Sequence, residues 1–241
     1  MSSPTAPDPP DAGAQHGAGA LADPAYREAV VDLLGALAYG EMSAFERLAE
    51  DAKLAPTIRD KAEVAAMAAA EFGHFAALRD RLVELGVGPF EAMAPFQPAV
   101  DAFHAHTAPS SWLEGLVKAY VGDGLAADFY REVAAFLDSG TRTLVLDTLA
   151  DTGHSQFAVD RVRAAIEADP KVAGRLALWG RRLMGEALSQ AQRVVAERDS
   201  LGALLAGGVD RPGMDLAAIG RMFTRLTENH TTRMDSLGLQ A

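Results

Sequence analysis

The chain has 241 residues, 49% of them apolar and 23% charged, with no cysteine and a formal net charge of −11. That apolar content supports one good-sized core, and the missing thiols exclude a disulfide framework, a zinc finger, a thiolate iron–sulfur centre and a cysteine nucleophile. No uninterrupted apolar run approaches the ~20 residues a bilayer span needs, so a soluble, cytoplasmic protein with no membrane partner is expected.

Residues 1–22, rich in Pro, Ala and Gly, lack a basic start and a long apolar stretch, so they read as a disordered tail rather than a secretory signal. From there apolar residues recur at three- and four-residue spacing, and alternating runs are scarce, which predicts an all-α chain. Asp23-Pro24 starts the first helix, which is expected to run to about Lys53, ahead of Pro56. A second is predicted from about Thr57 to Gly86. Residues 87–109, with Pro89, Pro95, Pro98 and Pro109, read as a long loop. Ser110 and Ser111 offer caps for a third helix ending near Ser139-Gly140, and a fourth follows to about Asp169-Pro170. A fifth is predicted over Lys171–Leu205 and a sixth over Met214–Leu237. Short links and one long crossover make residues 23–169 an antiparallel four-helix bundle, with residues 170–241 as a C-terminal helical extension packed on it. Residues 1–160 carry 10 basic against 24 acidic side chains, or −14, whereas residues 161–241 carry 12 against 9, or +3.

The inward stripes carry the chemistry. Along the first helix Val30, Leu34, Leu37, Glu41, Ala44 and Leu48 set Glu41 in the middle of the apolar face. The second stripe embeds Glu71 and His74, three residues apart and so neighbours on one face. The third embeds Asp123, and the fourth embeds Asp151 and His154 with the same separation. The set is an internal repeat: Glu41 to Asp123 is an offset of 82, and the two acid–histidine pairs are each offset by 80. Gly73 and Gly153 stand at the same place in the two pairs, where a helical glycine costs ~1 kcal/mol relative to Ala, which suggests close packing beside each histidine. Four ionised carboxylates in one dry interior repel one another and forfeit hydration worth several kcal/mol each. Two divalent cations cancel that charge, and oxygen-rich donors with one imidazole per metal suit iron or manganese better than zinc. Asp147, one turn from Asp151, is a candidate substitute ligand or a partner that orients a histidine.

The order Glu41, Glu71-x-x-His74, Asp123, Asp151-x-x-His154 resembles the ferritin-like di-iron carboxylate superfamily over about residues 24–168. Both acids of the second half are Asp, one methylene shorter than the Glu of that pattern. Within the superfamily, Gly40–Leu48 and Asp123–Tyr130 are most similar to the tRNA hydroxylase branch, in its actinobacterial, hydroxylase-like form. The resemblance implies a ferritin-like fold, two iron ions held by Glu41, Glu71, His74, Asp123, Asp151 and His154, and O2-dependent hydroxylation of an isopentenyladenosine in tRNA. No flavin or iron–sulfur signature is present, so a separate reductase is the expected electron source.

Two other functions stay open: iron oxidation and storage without an organic substrate, and a non-catalytic, metal-stabilised interaction protein. Among the remaining candidates, Glu46 and Asp128 are expected to be solvated or paired with Arg47 and Arg131, and Tyr39 and Tyr120 to serve in core packing. His104-x-His106 reads as a surface pair. Arg161, Arg163, Lys171, Arg175, Arg181, Arg182, Arg193 and Arg198 could meet tRNA phosphates, but a solvated face or a contact between subunits accounts for them equally. Trp179 and Leu183 are expected to anchor their helix against the bundle or against a second copy in a homodimer.

Overall fold

The computed structural model describes residues 19–149, 154–207 and 213–240, the side chain of His154 excepted. No strand occurs among them. The helices are α1 (Pro24–Asp51), α2 (Ile58–Glu84), α3 (Pro89–Met93), α4 (Gln97–His106), α5 (Trp112–Ala134), α6 (Ser139–Asp147), α7 (His154–Ala168), α8 (Lys171–Glu197), α9 (Asp199–Ala206) and α10 (Leu216–Ser236).

Their ends follow local chemistry. Asp23 caps α1 by accepting from the backbone N–H of Ala25 at 2.9 Å, with Pro24 at the first helical position, where its missing N–H costs nothing. Thr57 caps α2 and Ser111 caps α5 in the same way. Gly86, at φ 71°, stops α2, while the Val87 N–H returns to the Leu82 carbonyl at 3.0 Å.

Three predicted elements need correction. Residues 87–109 are not a long loop: they fold as α3, a 3₁₀ turn over Ala94–Phe96 and α4. Pro89, Pro95 and Pro98 occupy first-turn positions, so they start helices instead of breaking them, and only Pro109 lies in a connecting stretch. The fourth helix is two, α6 and α7; α6 ends where the Thr148 hydroxyl donates to the Val145 carbonyl at 2.7 Å. The fifth is also two, because Arg198 leaves helical geometry (φ −133°, ψ 90°) between α8 and α9.

Two dry cores order the bundle. One gathers Tyr26, Leu33, Leu34 and Leu37 of α1 with Leu78 and Leu82 of α2, Val133 of α5, Val145 of α6 and Leu204 of α9. The other gathers Leu48 of α1, Val64 of α2, Leu116, Val117 and Val121 of α5, Val162 of α7 and Leu176, Trp179 and Leu183 of α8. Helix α1 passes from the first core to the second, whereas α2 and α5 pass from the second to the first and α6–α7 return. The chain therefore runs α1 against α2 and α5 against α6–α7, with α2 and α5 parallel. That order requires the connection through α3 and α4 to travel the length of the bundle. Glu41, Glu71 and His74 fall between the two cores. Helices α8 and α10 pack on α5, and α9 packs on α1. Trp179 anchors α8 inside the molecule, its indole N–H donating to the Glu114 carbonyl at 2.9 Å. None of the described helices is long and apolar enough to cross a membrane.

Candidate metal centre

Helix α1 lends Glu41 from the middle of its buried face, and α2 lends Glu71 and His74 one turn apart. Glu41 Oε2 and Glu71 Oε2 each lie 3.5 Å from His74 Nδ1, and donor atoms from the three residues all fall within 4.8 Å of one another. Two acids and an imidazole at this separation are a donor set for a divalent, oxygen-preferring cation.

The electrostatics show the strain of this cluster without a cation. Burial pushes the Glu41 carboxyl well above its ordinary range, His74 pulls it back, and the neighbouring Glu71 raises it further. The same two carboxylates drive His74 up to about 10, against the opposing effect of burial. The cluster thus draws positive charge to the place where a metal cation would sit.

Asp123 lines a cavity with Glu41 and Glu71, but the residue is exposed and stands outside the tight three-residue group. Its charge, with those of Glu41 and Glu71, adds to burial in holding the Tyr130 phenol well above its usual range. Asp151 and the side chain of His154 lie outside the described residues, although His154 begins α7. Asp147 is the last residue of α6 and is exposed.

Several neighbours differ from expectation. Among the described residues a Cβ on Gly73 would meet no atom of another element within 4 Å, which runs against close packing beside His74, while Gly153 is outside the described residues. Asp128 pairs with Arg131, one of the two expected outcomes, but it is buried and also meets Arg233, which was not foreseen. His104 and His106 are not a surface pair. His106 meets Glu186 at 2.6 Å on the surface, whereas His104 lines the cavity with its Nδ1 buried and, among the described residues, without a hydrogen-bond partner. Tyr39 donates to Asp101 at 2.7 Å. Lys118, which belongs to none of the predicted stripes, is also buried and lines the cavity. The available signal was its spacing from Gly115, Val121 and Leu125, which sets it on a small and apolar face of α5.

The cavity has a volume of about 380 Å³, within the range of small-molecule sites, and most of its wall is apolar. Leu33 and Leu37 of α1, Phe129 and Val133 of α5, and Leu204 and Leu205 of α9 supply one end. It reaches the surface beside Val195 and Phe223, which line it and are themselves exposed. The arginines of the C-terminal half are largely engaged within the chain: Arg161 with Asp60, Arg175 with Glu114, Arg193 with Glu197, Arg198 with Asp32, and Arg163 and Arg181 with carbonyls near the C-terminus.

Comparison with curated proteins gives no match. Among solved structures, a protein with aldehyde deformylating oxidase activity from Synechococcus is similar with a TM-score of 0.69 and 22% sequence identity, over 92% of this chain and 94% of that one. The same all-α ferritin-like architecture is therefore present here. The profile of the ferritin-like domain of actinomycetes matches residues 24–208, most of the chain, and the protein belongs to that family.

Proposed function

We propose that this protein is an O2-dependent di-iron oxidase or hydroxylase acting on an apolar substrate. The observation that carries the reading is the exposure of Glu41, Glu71 and Asp123 to a largely apolar cavity. The oxidase activity of the Synechococcus protein accords with this class.

The donor chemistry fits the metal. Glu41, Glu71 and His74 would hold one iron ion, and Asp123, Asp151 and His154 the second; manganese would suit the same oxygen-rich set. When bound, the iron pair supplies the redox chemistry that reduces O2. Glu41 and Glu71 draw positive charge to His74 Nδ1, so a divalent cation bound there would displace the proton that they favour on the ring. Tyr130 keeps its hydroxyl proton and remains a neutral donor beside three acids. Leu37, Phe129 and Leu204 exclude water from the space where substrate would lie. Electrons would come from a separate reductase.

A tRNA substrate is the finer reading that the sequence resemblance implies. It asks for free cations at the surface, and Arg47, Arg161, Arg175, Arg193 and Arg198 already face acids of this chain. The apolar wall favours a small hydrophobic molecule instead.

Anaerobic loading with Fe²⁺ followed by exposure to O2 tests the proposal. Oxygen uptake should follow addition of an apolar substrate and a reductant. Uptake driven by Fe²⁺ alone, with accumulation of ferric mineral, would make the protein an iron-storage relative; a loaded but O2-inert protein would remove catalysis altogether.

A further inference from the structure

The cavity is not uniformly apolar. Lys118 is only 7% exposed, yet no carboxylate among the described residues lies within ion-pair distance of it. Its ammonium donates to the Thr107 carbonyl at 2.8 Å and sits 5.6 Å from the Phe103 ring, which leaves two of its three N–H donors unfilled. His104 faces the same end with an unpartnered, buried Nδ1. Arg47 and Asp51 also line this end; Asp51 acts on Lys118 only through space, and Arg47 is turned to Glu46 and Glu50. Burial lowers Lys118 to about 8, so it still carries its charge at neutral pH, and lowers His104 to about 3, so the imidazole is neutral.

A buried ammonium so poorly matched is costly unless something that enters the cavity completes it. The position of Lys118 gives that ligand a direction. Lys118 precedes Asp123 by five residues of α5, about 7.5 Å of helix rise, and Arg47 follows Glu41 by six residues of α1, about 9 Å. Leu33 lies eight residues on the other side of Glu41, about 12 Å away. Cationic end, carboxylate cluster and apolar end thus succeed one another along the cavity wall.

We propose that the cavity binds a long-chain monocarboxylate, its head group on Lys118 and His104 and its alkyl chain running past Glu41 toward Leu33 and Leu204. The two unfilled N–H donors of Lys118 can meet the oxygens of one carboxylate, whereas a phosphate ester would bring a second negative charge against an ammonium that Asp51 already offsets in part. This orientation presents an interior methylene to the carboxylate cluster and holds the carboxyl carbon away from it. The inference rests on reading the cavity as the substrate site, and adds the chemistry of the head group.

Binding of palmitate and of hexadecanol to the full chain, as isolated and after metal chelation, tests it by displacement of the uncharged fluorophore N-phenylnaphthylamine. Palmitate should bind about tenfold tighter than the alcohol of equal length, the worth of one charge-assisted hydrogen bond. Lys118→Met should erase that difference while hexadecanol binding persists, which also reports that the variant is folded. Leu204→Trp should weaken both ligands. Equal affinities in the parent protein, an unchanged preference in K118M, or no displacement by either compound would overturn the proposal. A His74→Ala variant separates the two readings: loss of iron with palmitate affinity retained leaves the head-group site standing whatever becomes of the oxidase.

Discussion

Arg198, the residue between α8 and α9, closes on Asp32 of α1, with its Nε 3.0 Å from Asp32 Oδ2 and a terminal nitrogen on Oδ1. The Ser200 hydroxyl donates to the same carboxylate, which is 4% exposed. Removing the cation would strand a buried acid, and breaking such a pair typically costs 3–5 kcal/mol, less here because the arginine side chain is 34% exposed. Arg198→Ala is expected to lose about 2 kcal/mol in urea unfolding and to loosen α9, which amide exchange over Leu204 and Leu205 would detect. A change below about 0.5 kcal/mol would mean the carboxylate is solvated.

Two helical glycines should respond oppositely to alanine. A Cβ on Gly35 would stand 2.2 Å from the Ala92 carbonyl oxygen, so Gly35→Ala must push α1 and α3 apart. Gly73 is exposed and meets nothing, so Gly73→Ala should gain the ~1 kcal/mol of helix propensity. Thermal unfolding of the two variants checks the contrast; equal shifts of one sign would contradict it.

Under the proposed function the carboxylate cluster gives up stability for metal binding. In the chelated protein Glu41 is buried and forced toward its neutral form, so Glu41→Leu should raise metal-free stability by about 1 kcal/mol. Loading the parent chain with Fe²⁺ or Mn²⁺ at a hundredfold excess over the dissociation constant should add about 2.7 kcal/mol, and E41L should lose that increment. Calorimetry with and without metal measures both effects, and a metal-induced shift surviving in E41L would remove Glu41 from the ligand set.

His230 of α10 is 4% exposed, and neither ring nitrogen has a hydrogen-bond partner among the described residues. Burial lowers its pKa, so folding favours the neutral ring. Its contribution is fully present above the unfolded value near 6.5 and declines as pH falls toward the folded value, by about 1.4 kcal/mol per pH unit. His230→Leu should therefore flatten the acid side of the stability profile between pH 6.5 and 5 and raise stability at pH 5. Parallel profiles would show that the ring is protonated without cost.

Glu41, Glu71 and His74 were legible in the sequence because a charge inside a 3.6-residue apolar stripe violates the rule of the stripe. The bundle order was legible for the same reason. Pro89, Pro95 and Pro98 were misread because a proline looks alike whether it ends a helix or opens one, and only its position within the turn decides. Lys118 escaped because lysines ordinarily mark solvent. Gly73 misled because its repetition at Gly153 suggested packing, which only neighbouring atoms can establish. The bond between Arg198 and Asp32 spans 166 positions, and no local pattern announces it.

Glu41, Glu71 and Asp123 come from α1, α2 and α5, whereas much of the apolar lining of the cavity they share comes from α8, α9 and α10. The candidate donors and the wall that would select a ligand are thus encoded by different stretches of one polypeptide. Under the proposed function, exchanging Met184, Leu188, Leu204 or Phe223 would let a lineage turn the cavity toward new molecules while the metal-binding acids pass unaltered from ancestor to descendant.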